Sequence, residues 1–156
     1  YDGGFPVWAK AQRLDTPGRV VERIDNPRAL ADFVRRTAPT GVSDFSMERH
    51  VEGTQVKIYG VAGTPFARFV LPDTPEGAPL PEAVAALVGD EFPTPADYFR
   101  FVGHELATAL GIDIYGADAI VGSDGMPVYF DFNDFPSYAP CAAEAAEAVV
   151  KRLLQP

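Results

Sequence analysis

Proline is the residue that most limits what this chain can become. Its fifteen prolines, nearly one residue in ten of 156, are scattered between periodic apolar segments and never gather into a tract. They therefore punctuate ordered elements, and order is expected nearly throughout. Asn26-Pro27 offers an N-cap followed by proline at the first helical position. Leu30, Phe33 and Val34 then recur at helical spacing up to Thr37, where Pro39 and Gly41 end the run. Thr94-Pro95-Ala96-Asp97 repeats the device with a Thr cap and an acid at the third position. The stripe of Phe99, Val102, Leu106, Ala109 and Leu110 that follows stops at Gly111. A third helix is expected from about Cys141 to Leu154, with Lys151 and Arg152 complementing its dipole.

Between these helices the pattern is that of short strands. Val7 to Ala11 and Arg19 to Ile24 read as a hairpin around a loop containing Asp15-Thr16-Pro17-Gly18. Phe45 to His50, Gln55 to Val61 and Pro65 to Leu71 are three further strand-like runs, divided by Glu52-Gly53 and Ala62-Gly63 turns. Residues 72–81, rich in Pro, Gly and Asp, form a loop or lid. Ile112 to Val121 and Val128 to Phe132 make a last pair of strands joined by Gly122-Ser123-Asp124-Gly125. The class is α+β, with a first lobe over residues 1–60 and a second over 61–156.

Charge is distributed unevenly along this order. Residues 1–50 carry eight basic and seven acidic side chains, whereas from residue 69 to residue 150 the only Lys or Arg is Arg100, against 14 acids. A surface of that sign repels phosphate backbones, so neither nucleic acid nor an anionic membrane is an expected partner. No apolar run approaches the roughly 18 residues of a membrane span. The single Cys141 cannot close an intrachain disulfide, which fits a reducing compartment and a cytoplasmic protein. Lacking a neighbouring His, it reads as a packing residue. The chain opens at Tyr1-Asp2-Gly3-Gly4 without an initiator Met and reads as part of something longer.

Some of the acids have the spacing a cation needs. Asp131 and Asn133, two apart on a strand, project from one face, and the preceding turn brings Asp118 of the paired strand beside Asp131. Two carboxylates and an amide oxygen suit Mg²⁺, a hard ion that keeps waters and bridges phosphates. The plainer alternative has Asp118 in a turn and the other two in solvent. Lys10 stands in an apolar strand, as a phosphate-binding lysine does, or simply points to water. Lys57 alternates with apolar neighbours, so an edge strand would leave it exposed. Met47-Glu48-Arg49-His50-Val51-Glu52-Gly53 links two strands and suits a hinge whose backbone meets a flat heterocycle; His50 on its own reads as a packing or surface histidine.

This order of elements is similar to the ATP-grasp superfamily over almost the whole chain: strand with Lys10, hairpin, helix, hinge at Met47 to Val51, Lys57 strand, helix, Asp118, then Asp131-Phe132-Asn133. The acid-x-Asn pair with an Asp thirteen residues earlier resembles the superfamily's final metal-binding strands. The resemblance implies two small α+β lobes with antiparallel sheets gripping ATP between them. It implies that Asp118, Asp131 and Asn133 hold one or two Mg²⁺ (or Mn²⁺) ions and that Lys10 contacts the α- and β-phosphates. The backbone from Arg49 through His50 to Val51 would read adenine with Glu48 nearby, and Gln55 would stand where relatives place an acid on the ribose. Lys57 and Arg68 would face the γ-phosphate or the acyl phosphate formed from it.

The activity so implied is an ATP- and Mg²⁺-dependent ligase that activates a small-molecule carboxylate and joins it to an amine or thiol. The ending Asn133-Asp134-Phe135-Pro136-Ser137-Tyr138 instead looks like the inositol phosphate kinases of the same superfamily, which phosphorylate a hydroxyl. A nucleotide-binding module without turnover is the third alternative, since relatives carry an additional N-terminal domain. Much of the acceptor site lies in that domain in the relatives, and such a domain or a second copy of the chain in a homo-oligomer is the expected protein partner.

Overall fold

The computed structural model describes residues 4–13, 19–75 and 77–154, which fall into two compact units divided between Val51 and Glu52. The turn expected around Asp15 to Gly18 lies outside the described residues. In the first unit β1 (Val7–Arg13) is the central strand, antiparallel to β2 (Arg19–Ile24) on one side and to β3 (Val42–Arg49) on the other. The helix α1 (Pro27–Thr37) starts where expected, with the Asn26 side chain accepting from the Ala29 amide at 3.0 Å. Val7, Ala9, Ala11, Ile24 and Phe33 form its core. Strand β3 begins at Val42, earlier than the apolar run alone indicates, because Gly41 adopts a left-handed conformation that turns the chain directly from helix into strand.

The boundary sits at 51/52 and not at 60/61. The reason is hydrogen bonding: β4 (Thr54–Val61) is the second strand of the other unit's sheet, paired with β5 (Ala67–Val70) and β6 (Ile114–Val121), so it cannot belong to the first lobe. The order is β5-β4-β6-β7, with β7 (Pro127–Asn133) at one edge and every pair antiparallel. After β5 the chain makes one short helix that the sequence pattern did not announce, α2 (Glu82–Ala85). The long helix α3 (Pro95–Leu110) carries the full capping box: Thr94 Oγ1 accepts from the Asp97 amide and Asp97 Oδ2 from the Thr94 amide, at 3.2 and 3.1 Å. A single turn at Ala139–Cys141 leads into α4 (Ala142–Leu153). No helix among the described residues is long and apolar enough to cross a membrane.

One face of the four-stranded sheet is a packed core. Val56, Ile58, Tyr115, Ala117, Ala119 and Val121 point into it and meet Phe99 and Ala107 of α3, Val84 of α2, and Leu87. Tyr115, fully buried, needs space that only glycine leaves: a Cβ on Gly60 would stand 2.2 Å from its ring and hydroxyl. Gly60→Ala therefore forces this ring to move. Overpacking of this kind costs about 1–3 kcal/mol, more than a strand gains from replacing glycine. A lowered urea midpoint with an unchanged slope is the expected result.

Beside Tyr115, edge-on at 5.8 Å, lies the ring of His104, whose Nε2 is buried without a hydrogen-bond partner. Burial is the main cause holding its pKa below the ordinary 6.5. The unfolded chain takes up this proton as pH falls through about 6.5 while the folded chain resists, so the neutral imidazole's contribution is present above that pH and lost below it. Between pH 7.5 and 5 the wild type should lose more stability than His104→Phe, as measured by urea unfolding at a series of pH values.

Candidate functional site

The opposite face of the same sheet is charged, and the sheet register decides which side chains meet there. Lys57 of β4 is directly opposite Asp118 of β6, and Asp118 is directly opposite Asp131 of β7, so the three form one row across three strands. Alternation puts them outside: on β4, Val56 and Ile58 go to the core and Lys57 away from it, and on β6, Ala117 and Ala119 leave Asp118 on the other side.

Strand β7 could not follow that rule unaided. Tyr129 and Phe132 both pack on the core, three residues apart, which strict alternation forbids. A β-bulge resolves the conflict: Ala119 pairs with Tyr129 and Asp118 with Asp131, leaving Phe130 between them. The extra residue resets the phase, so that Phe132 turns inward while Asp131 and Asn133 turn outward. The pairing of Asp118 with Asp131 follows from the turn between their strands, whereas the bulge does not. The signal was there in the run of aromatics, where Tyr129 lies three residues from Phe132 and so out of phase with it.

The row is ionic and only partly shielded. The Lys57 ammonium donates to both Asp118 oxygens, at 2.8 and 3.0 Å, with the lysine side chain 37% and the aspartate 22% exposed. This hydrogen bond is the main cause raising the Lys57 pKa above 10.5; burial opposes it and the charges of Asp118 and Asp131 add to it. Asp131 is exposed, and Asn133 Nδ2 lies 3.4 Å from its Oδ1, while Asn133 Oδ1 accepts from the Phe135 amide at 3.2 Å. Beyond Asn133 the chain folds back over the sheet. Pro136 sits so close to Gly116 that a Cβ there would be 2.4 Å from the proline's own. Tyr138, its pKa pushed up to about 12 chiefly by burial, donates to the Gly60 carbonyl at 2.8 Å and stacks obliquely on Tyr59.

Other expected residues are placed differently. Arg68 pairs with Tyr59 in register and so shares the outward face, but its Nη1 donates to both oxygens of Glu144 on α4, at 3.0 and 3.3 Å. Gln55 is two residues from Lys57 on the same side of β4, opposite Ile120. In the first unit, Lys10 and Glu48, expected at the phosphates and beside the base respectively, form an ion pair with each other across β1 and β3. Arg49 ends β3. The His50 amide donates to the Pro6 carbonyl at 3.2 Å, and its Nδ1 accepts from Trp8 Nε1 at 3.1 Å, so the hinge at Arg49 to Val51 is braced on β1.

The donor set fits a divalent ion of one kind. Among the described residues no three His, Cys, Asp or Glu side chains converge as a complete protein cage. Two outward carboxylates and an amide oxygen are instead what Mg²⁺ accepts when waters and phosphate oxygens fill its remaining positions.

Comparison with known proteins agrees with the architecture. No protein-family model matches the chain, and no curated protein matches its sequence. Solved structures do. D-alanine–D-alanine ligase from Bacillus anthracis, complexed with ATP, superposes with a TM-score of 0.53 at 15% identity, covering 96% of this chain and 50% of that one. An L-amino acid ligase from Bacillus licheniformis gives 0.48 at 16% identity, over 86% of this chain and 32% of that one. The ATP-grasp ligase PsnB with its precursor peptide and AMPPNP gives 0.44 at 12%, over 92% and 46%. The first of these superpositions gives the chain an ATP-grasp fold, and the chain spans from a third to a half of the length of the ligases it is compared with.

Two like charges directly opposite on neighbouring strands destabilise a sheet by about 0.2–1 kcal/mol, and Lys57 offsets that repulsion. In metal-free buffer, Lys57→Met should lower the urea midpoint. Adding Asp131→Asn to that variant should restore part of the loss.

Proposed function

We propose that the chain is the nucleotide- and metal-binding part of an ATP-dependent carboxylate–amine (or carboxylate–thiol) ligase. The observation that carries this reading is the outward row Lys57–Asp118–Asp131 with Asn133 beside it, on the face of the sheet left free by α3. The ATP-grasp fold supports it. Asp118, Asp131 and Asn133 hold the divalent ion, which when bound neutralises the phosphate oxygens of ATP. Lys57 contacts the γ-phosphate, and Lys10, once released from Glu48, contacts the α- and β-phosphates. Arg49 to Val51 present backbone to the adenine, with Glu48 and Gln55 flanking the nucleoside. Arg68 steadies the transferred phosphoryl group after exchanging Glu144 for it.

The chemistry on this reading needs position and charge, not a covalent nucleophile on the protein. A substrate carboxylate oxygen attacks the γ-phosphorus, the bond to ADP breaks, and an acyl phosphate results. An amine or thiol then attacks the acyl carbon and inorganic phosphate leaves. The carboxylates aligned in register and the ammonium of Lys57 beside them bring the needed charges to one place before the reaction, which is how such a site lowers the barrier.

ATP with Mg²⁺ should raise the melting temperature of the chain, and Asp131→Ala should abolish the rise. Hydroxylamine supplied with ATP and a pool of small carboxylates should then yield hydroxamate and ADP. Phosphorylation of a polyol without hydroxamate would replace the ligase reading by the kinase one. Binding without either product would leave a module that does not turn over.

A further inference from the structure

The Lys57 ammonium stands on both oxygens of Asp118, in the row where the proposed function puts a divalent ion. We infer that Lys57 is a built-in counter-ion that the metal displaces, and that its displacement delivers the ammonium to the nucleotide's phosphates, so that metal and nucleotide binding are coupled through this one side chain. The inference rests on the reading of the row as a metal site, and three observations carry it.

First, the positions conflict. A divalent ion bonds carboxylate oxygens at about 2.1 Å, and Lys57 already engages both oxygens of Asp118. An ion taking either of them would lie within a few ångströms of a positive charge in a half-shielded place, so metal and ammonium compete for Asp118. Second, the row is more stable with a cation beside it than without one. Asp118 and Asp131 are opposite each other in register, and with neither lysine nor metal they repel across the strand pair. Arg68, a further cation of this face, is held by Glu144. Third, Lys57 is able to move. Its side chain is 37% exposed and its four-carbon stem is flexible, so the ammonium can leave Asp118 without disturbing the strand. Once the metal neutralises the carboxylates, the ammonium has lost its partner, and a phosphate bound to that metal offers the nearest replacement.

This hand-over predicts effects of opposite sign, which no purely structural role for Lys57 produces. Binding of Mn²⁺ alone, followed by the electron paramagnetic signal of the free ion, should tighten about three- to tenfold in Lys57→Met and in Lys57→Gln, because no ammonium has to be expelled. Binding of Mn²⁺ with the non-hydrolysed analogue AMPPNP should weaken about tenfold in the same variants, because the charged contact to phosphate is gone. Asp131→Asn should weaken both. Unchanged or weaker Mn²⁺ binding in both Lys57 variants, with Asp131→Asn still costing affinity, overturns the hand-over and leaves the metal site standing. Tighter binding of the analogue as well as of Mn²⁺ overturns it too, since Lys57 would then only repel. Mn²⁺ binding that is indifferent to Asp131→Asn overturns the site and the hand-over together. Melting curves of both Lys57 variants establish that each is folded under the conditions used.

Discussion

Two carboxylates directly opposite each other on adjacent strands repel unless a cation is in reach, and the sheet of the second unit supplies one. Asp118 and Asp131 face each other on β6 and β7, and the third strand in the row, β4, contributes Lys57 at the same level. The ion pair itself is partly exposed and stabilises the fold only modestly. Its importance lies in what it keeps together: two negative charges at one level, aligned and desolvated on one side by the sheet beneath them, held ready for a stronger cation.

Everything that keeps the row on the outside works through backbone geometry and small residues. The inner face fixes the sheet, with Val56, Ile58, Ala117 and Ala119 packed against Phe99 and Ala107. Gly60 leaves space for Tyr115, and Gly116 lets Pro136 come down onto the outer face. Tyr138, bonded to the Gly60 carbonyl, ties the returning chain to the strand that carries Lys57. The bulge at Phe130 then corrects the phase of β7. Without it, Asp131 would share a face with Tyr129 and be driven into the core, where an unpaired carboxylate is prohibitively costly.

Much of this was legible in the sequence because it depends on local rules. Proline and cap residues marked α1 and α3 at both ends, and strand alternation put Asp131 and Asn133 on one side. The turn after Val121 brought Asp118 to Asp131, as the register records. What was not legible depends on pairing at a distance. The partners of β4 decide that the units divide at Val51/Glu52, and no turn chemistry announces that choice. The pairing of Lys57 with Asp118, and of Arg68 with Glu144, joins residues 61 and 76 positions apart. Spacing along the chain carries no information about them. The same holds for Lys10 and Glu48, whose contact follows from β1 lying next to β3 across the intervening hairpin and helix.

The central claim is that the outward row on β4, β6 and β7 binds a divalent ion that carries nucleotide phosphate. Its most direct measurement is the paramagnetic broadening of backbone amide signals of the isotopically labelled chain when a trace of Mn²⁺ is added with ATP. The account predicts loss of the signals of Lys57, Asp118, Asp131 and Asn133 and of their immediate neighbours, before those of the many other acidic residues. Broadening spread over Asp73, Asp90, Glu91 and Glu105, with the row untouched, would contradict it.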